Sequence, residues 1–295
     1  IDRLLPNGRD SMKNTPKSYK KLPGSFWGVT SFFNLAGYKN KIQNYRRFRE
    51  SSKKQGLKLI AVEAAFKGKP FELNKDDADI LIQVKCNSIL WQKERLINIG
   101  IKHLPKDCDK FCWLDNDIIF LDDDWINKTS KLLEEYNAVQ LFSKLIRLPK
   151  NFRYFNVKDS GFYNRIDKLG YKTFSISYGA SQLGGEVLKS WANPYFELGI
   201  WASRTSIFKK YGVYDRSCSS IPDLYMAHLF INNKLDGLAL HYSNTLIKKD
   251  LYSWWNNVKK KFNKSFYYLD GTILHLWHEN ENNRNYWNLV KVIND

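Results

Sequence analysis

Apolar and polar positions along the chain switch between a period near two and a period near 3.6, and the switching sets out an order of elements. Residues 26–33 form a short apolar stretch of strand type. A helical pattern follows over about 40–55 and is stopped by Gly56. Residues 57–66 and 79–84 predict a second and a third strand. The best-formed helix is predicted over 88–104, with Leu90, Ile97, Ile101 and Leu104 on one stripe and Pro105 as its stop. A fourth strand over 111–114 runs into Asp115-Asn116-Asp117, and a helix reaching about Tyr136 begins behind Asp122-Asp123-Asp124. Strands alternating with helices predict an α/β fold with a Rossmann-like, mixed but mainly parallel central sheet flanked by helices.

The pattern weakens over 139–185, a stretch rich in Tyr, Phe, Ser and Gly, which is expected to supply functional loops. Order returns over 200–211, ahead of a Gly212 stop, and a helix is expected over about 222–232. The last forty-five residues contain Trp254-Trp255, a basic stretch and a strand-like segment over 272–277. Residues 1–23, basic and punctuated by Pro6, Pro16 and Pro23, are expected as an arm or linker, and 24–295 as one catalytic domain.

Composition narrows the function less than the pattern does. Apolar residues at 43% and charged residues at 26% describe a globular protein, and a net charge of +17 implies anionic partners. There is no zinc-finger, helix-turn-helix or RNP signature, so nucleic acid is not expected; an anionic donor, or peripheral contact with an anionic membrane from the cytoplasm, accounts for the charge. The four cysteines lack metal-knuckle spacing and are expected as free thiols. No apolar run approaches the roughly 18 residues of a membrane span.

Chemistry concentrates at Asp115 and Asp117. Alternation along a strand puts them on one face, where two like charges need a cation, and Mg²⁺ or Mn²⁺ favours carboxylates. The bland reading is a turn or cap cluster; Asp122, Asp123 and Asp124 are read that way, as acids at a helix start. His275 and His278, three apart in a predicted strand, are expected on opposite sides, so that only His278 reaches a site at the sheet edge. Asp223, just after Pro222 in a helix's first turn, serves either the helix dipole or as a general base. Lys93 and Glu94 border their helix's apolar stripe and look towards a donor site or pair in solvent, while Arg95 faces away. Aromatic residues between Tyr154 and Tyr178 are candidates for a sugar-stacking wall.

Taken in order, Trp91–Asn98, Trp113–Asp117, Gly199–Arg204, Tyr211–Asp215 and His275–His278 resemble the GT-A glycosyltransferases, over roughly residues 25–290. The resemblance implies a nucleotide-sugar half over about 24–125 and an acceptor half over about 126–295. It implies Asp117 as metal ligand, His278 completing the metal site, and Asp115 at the donor and the metal. Lys93 and Thr30 would bind the donor, and Asp223 would be the base of an inverting hexosyltransferase. It further implies Mn²⁺ or Mg²⁺, a UDP-sugar donor, a glycan, glycolipid or glycoprotein acceptor, and an acceptor-shaping or closing role for 147–185. Glycines usually precede the acid in that family, whereas Ser219, Ser220, Ile221 and Pro222 stand here. A haloacid-dehalogenase-type phosphatase also carries Asp-x-Asp after a strand, but near its domain start and followed by small residues. Here four elements precede the motif and Ile118, Ile119 and Phe120 follow. An inactive sugar-binding domain on the transferase fold is the other alternative.

Overall fold

The computed structural model describes residues 15–88, 90–150, 171–183, 187, 196–217, 221–235 and 245–278. Its centre is a seven-stranded sheet in the order β11-β6-β10-β4-β1-β2-β3. These strands are β1 (Ser25–Phe33), β2 (Lys58–Phe66), β3 (Ile80–Cys86), β4 (Cys108–Leu114), β6 (Ala138–Gln140), β10 (Trp201–Arg204) and β11 (Phe266–Tyr268). β1 runs parallel to β2 and β4, β2 to β3 and β6 to β11, whereas β10 is antiparallel to both its neighbours. The sheet is therefore mixed and mainly parallel, with helices against it, as the alternation of periods predicts. β2 and β4 are buried almost throughout, as strands covered on both faces must be, while the edge strand β3 exposes Gln83 and Lys85.

Helix α1 (Lys39–Lys54) connects β1 to β2, and α2 (Lys93–Lys102) precedes β4. The apolar stripe of α2 buries Leu96, Ile97 and Ile101 against the sheet. Gly100 permits that approach, since a Cβ there would lie 2.4 Å from Val29 Cγ1. Exposed Leu90 precedes the helix, which begins five residues later than the periodicity suggests. Helix α3 (Trp125–Glu135) is not capped as expected: the Asp124 side chain makes no cap bond, and Asp122 Oδ1 instead accepts the Asp124 N–H at 3.0 Å. Residues 18–22 run beside the end of α3, with the Ser18 and Lys20 N–H groups donating to the Glu135 and Glu134 carbonyls and Leu22 in the core.

A second sheet, in the order β5-β12-β7-β8-β9, stands at the C-terminal end of β4. Its strands are β5 (Ile118–Phe120), β7 (Lys144–Arg147), β8 (Tyr171–Ser175), β9 (Phe196–Glu197) and β12 (Thr272–His275). Much of the stretch read as irregular thus supplies short strands, together with helix α4 (Ile176–Leu183). Helices α5 (Thr205–Phe208), α6 (Pro222–Asn232) and α7 (Thr245–Phe262) follow. α7 carries Trp254 and Trp255 and closes the core on the α6 side, where Phe230 and Phe262 stack at 4.4 Å. Among the described residues no helix is long and apolar enough to cross a membrane.

Candidate functional site

Asp115-Asn116-Asp117 is the link between β4 in the first sheet and β5 in the second. Leaving one sheet for the other turns these side chains out at the carboxyl ends of β1 and β4, where open α/β sheets bind ligands. The turn is pinned on both sides. Asn116 Nδ2 donates to the Ser31 carbonyl at 2.6 Å, and the Leu276 N–H donates to the Asp117 carbonyl at 2.7 Å. A cavity of about 650 Å³ opens there, and Asp115, Asp117, Lys93, Asp223, His275 and His278 all line it.

Asp117, His275 and His278 offer ligand atoms that lie within 4.8 Å of one another, a group that could hold a metal ion. His278 Nε2 is 3.2 Å from Asp117 Oδ2 and His275 Nε2 is 3.7 Å from Asp117 Oδ1. This corrects the expectation that the two histidines face apart. β12 ends at His275, so strand alternation no longer governs residues 276–278. Helix α1 holds the departing chain in place: Asn40 Nδ2 donates to the His278 carbonyl at 2.5 Å and Asn44 Nδ2 to the Trp277 carbonyl at 2.9 Å.

The second charged group is centred on Lys93. Its ammonium lies 2.8 Å from Asp115 Oδ1 and 3.0 Å from Asp223 Oδ2, with only 12% of the side chain exposed. Burial pulls the Lys93 pKa down, but Asp115, Asp223 and Glu94 outweigh it and hold the amine well above its ordinary value. Glu94 is buried and accepts the Trp91 indole N–H at 2.8 Å. Burial first, and the charge of Asp223 second, push its carboxyl up to about 8 against the pull of Lys93. One cation therefore faces the Asp115 and Asp223 side chains and, in Glu94, a carboxyl that stays protonated at neutral pH. Asp223 sits in the first turn of α6, and its Oδ1 is buried with no hydrogen-bond partner among the described residues. The Ser219–Ser220 cap lies outside the described residues.

Thr30 does not reach this cavity. It is fully buried, and its hydroxyl donates to the Leu114 carbonyl at 2.8 Å, tying β1 to β4; Ser31 lines the cavity instead. The aromatic wall also differs. Tyr178 packs on Phe174 and Tyr268 and is not part of the lining, and residues 151–170 are outside the described residues. Phe33, Tyr38 and Trp91 line the cavity, with Phe33 and Trp91 edge to face at 5.7 Å.

One wall comes from the start of the Gly199–Arg204 segment, to which the sequence assigned no role in the site. Leu198, Gly199 and Ile200 line the cavity, and Ile200 has φ 64°, a left-handed conformation that is strained for a β-branched residue. Fully buried Gln140 clamps this segment, its Nε2 donating to the Glu197 and Gly199 carbonyls at 3.0 Å each. A Cβ on Gly199 would stand 3.3 Å from Asp223 Oδ2 and 3.8 Å from Asp115 Oδ2, so the bare backbone leaves those carboxylates their room. Residues held in sparsely populated backbone conformations cluster at active sites and ligand clamps.

No family model matches the chain, and no curated protein matches it. Among solved structures it is similar to S. aureus TarS 1-349 in complex with UDP-GlcNAc, at 9% identity over 87% of this chain and 60% of that one, with a TM-score of 0.41. It is also similar to the catalytic domain of Drosophila beta1,4galactosyltransferase 7 in complex with xylobiose, at 14% identity over 68% and 58%, with a TM-score of 0.29. A third similar structure is 4-diphosphocytidyl-2C-methyl-D-erythritol synthase from Anaerococcus prevotii, at 11% identity over 84% and 89%, with a TM-score of 0.33. The chain spans about three fifths of the length of the first two.

Proposed function

We propose that this chain is a metal-dependent glycosyltransferase that moves a hexose from a nucleotide-sugar, with UDP as the nucleotide, to a hydroxyl acceptor. The observation that carries the reading is the convergence, in one cavity, of the Asp117–His275–His278 group and the Lys93-linked pair Asp115 and Asp223. A carboxylate with two imidazoles suits a divalent ion, and the imidazoles favour Mn²⁺ over the strictly oxygen-seeking Mg²⁺. A bound ion supplies charge neutralisation for a departing diphosphate.

The chain's own residues account for the rest. Lys93 holds Asp115 and Asp223 on either side of one ammonium, at 2.8 and 3.0 Å. Asp223 then takes the proton of the acceptor hydroxyl as its oxygen bonds to the anomeric carbon and the bond to the diphosphate oxygen breaks. Such a base contributes roughly 10² to 10⁴ in rate. Attack from the face opposite the leaving group inverts the anomeric centre. Phe33 and Trp91 offer apolar faces on which a base or sugar can stack.

Thermal unfolding against a panel of nucleotide-sugars, with Mn²⁺ or with EDTA, tests the reading. Ligand at 100 times its dissociation constant adds about 2.7 kcal/mol. The expected result is stabilisation by one nucleoside diphosphate sugar that needs Mn²⁺ and disappears in D117A. Folded protein that responds to no member of the panel would overturn the proposal.

A further inference from the structure

The second sheet brings four polar side chains together from four successive strands. His275 on β12 is paired in register with Arg147 on β7, Thr173 follows on β8, and Glu197 ends β9. Arg147, Glu197, His275 and Leu145 all line the cavity. Glu197 is held in an unusual way. Arg147 Nε at 3.2 Å, Arg147 Nη2 at 2.7 Å and the Thr173 hydroxyl at 3.1 Å all donate to the same atom, Oε1. Among the described residues Oε2 accepts nothing.

The backbone under Glu197 is equally fixed. Gln140 Nε2 holds the Glu197 and Gly199 carbonyls, and Gln140 Oε1 accepts the Ser177 N–H at 2.9 Å, so the clamp is used on both sides. Three donors and a clamped backbone spent on one oxygen leave the other as a preorganised acceptor beside an apolar surface. A carboxylate oxygen next to a guanidinium, in a cavity that Leu145 and Leu198 also line, is suited to adjacent sugar hydroxyls, which donate to one and accept from the other.

Given the reading above, on which this inference rests, a diphosphate held at Asp117, His275 and His278 carries its sugar only one bond further on. Arg147 stands directly beside His275 in the ladder, with Glu197 beyond it. We infer that Glu197, oriented by Thr173 and Arg147, binds a hydroxyl of the transferred sugar and sets which donor sugar is accepted.

Calorimetric titration of the full chain with UDP, UDP-glucose, UDP-galactose and UDP-GlcNAc, each with Mn²⁺, tests this. In E197Q an N–H₂ replaces the free acceptor. The affinity for the preferred UDP-sugar relative to UDP should fall roughly tenfold to hundredfold, as expected for loss of a hydrogen bond to a charged group. Affinity for UDP itself should stay within about twofold, which also shows that the variant is folded. T173V should lower the same ratio by about three- to tenfold, and T173S should restore it. An unchanged ratio in E197Q, with UDP still bound, would overturn this inference and leave the transferase reading standing. Failure of wild type to bind UDP or any of its sugars would overturn both.

Discussion

Replacing Glu94 by Gln should stabilise the protein above pH 7, although it removes a buried charged-type residue from beside a lysine. Glu94 is 4% exposed and its carboxyl is pushed up to about 8 from 4.5, by burial first and by the charge of Asp223 second. The sign follows from proton counting. Between pH 4.5 and about 8 the unfolded chain has released the Glu94 proton and the folded chain has kept it, so stability falls as pH rises through that window. The contribution is fully present below 4.5 and gone above about 8. At about 1.4 kcal/mol per pH unit the window has a ceiling of about 5 kcal/mol. The value of about 8 already includes the pull of Lys93, so a gain of a few kcal/mol, up to that ceiling, is expected. Gln keeps the shape and still accepts the Trp91 indole N–H, while titrating nowhere.

The assay is urea unfolding of wild type and E94Q in EDTA at pH 4.5 to 9, read as the difference between the two at each pH. Taking the difference cancels the titrating groups that do not interact with Glu94. The two proteins should be within about 1 kcal/mol of each other near pH 4.5, with E94Q gaining steadily up to pH 8 and holding its lead beyond. A difference that does not change with pH would refute the reasoning, as would one that grows towards acid.

The remaining predictions concern the two charged groups separately. K93M strands Asp115 and Asp223, and with 35% and 19% of those side chains exposed the loss at pH 7 should be about 1–3 kcal/mol in urea unfolding. H275A and H278A should each weaken Mn²⁺ binding by about tenfold or more in titration calorimetry; full Mn²⁺ affinity in H275A would remove it from the ligand set. Wild type should bind Mn²⁺ about tenfold more tightly than Mg²⁺, and equal affinities would count against imidazole ligation. N44A leaves the Trp277 carbonyl without its donor and should lower Mn²⁺ affinity about three- to tenfold while costing about 1–3 kcal/mol of stability.

Where a segment is long and keeps one period, the chain's order could be read directly. β1, α1, β2, β3, α2 and β4 all fall within about five residues of their predicted spans, because the helices bury a stripe that repeats at 3.6 residues and the strands are short apolar runs between polar or turn residues. Helix α7 carried the same kind of signal. Leu251, Trp254, Trp255, Val258 and Phe262 are buried at helical spacing, and the neighbouring lysines obscured a stripe that was there to be seen. β6, β7 and β9 carried none: strands of two to four residues are too short to show a period. Their partners, moreover, are distant in the chain: β10 and β11 flank β6, β12 and β8 flank β7, and β9 pairs with β8.

The candidate site divides along the same line. Asp115 and Asp117 announce themselves as acids behind an apolar strand, and Lys93 and Asp223 as polar residues at the edge of helices. What joins them is tertiary. The pairing of His275 with His278 depends on β12 ending at His275 and on two asparagines of α1 from the other end of the chain. The wall beside Asp223 depends on Ile200 at φ 64°, a conformation that for such a residue costs about 1–3 kcal/mol. It persists because the segment is bonded at both ends by β6 and its continuation: the Gly199 carbonyl accepts from Gln140 Nε2, and the Ile200 carbonyl accepts the Leu141 N–H. Ile200 thus turns the backbone next to Gly199, which lies against Asp223, in a segment where Glu197 and Gly199 both line the cavity. Local propensity argues against Ile at that position, and only the bonds made by a distant strand explain why it is tolerated there.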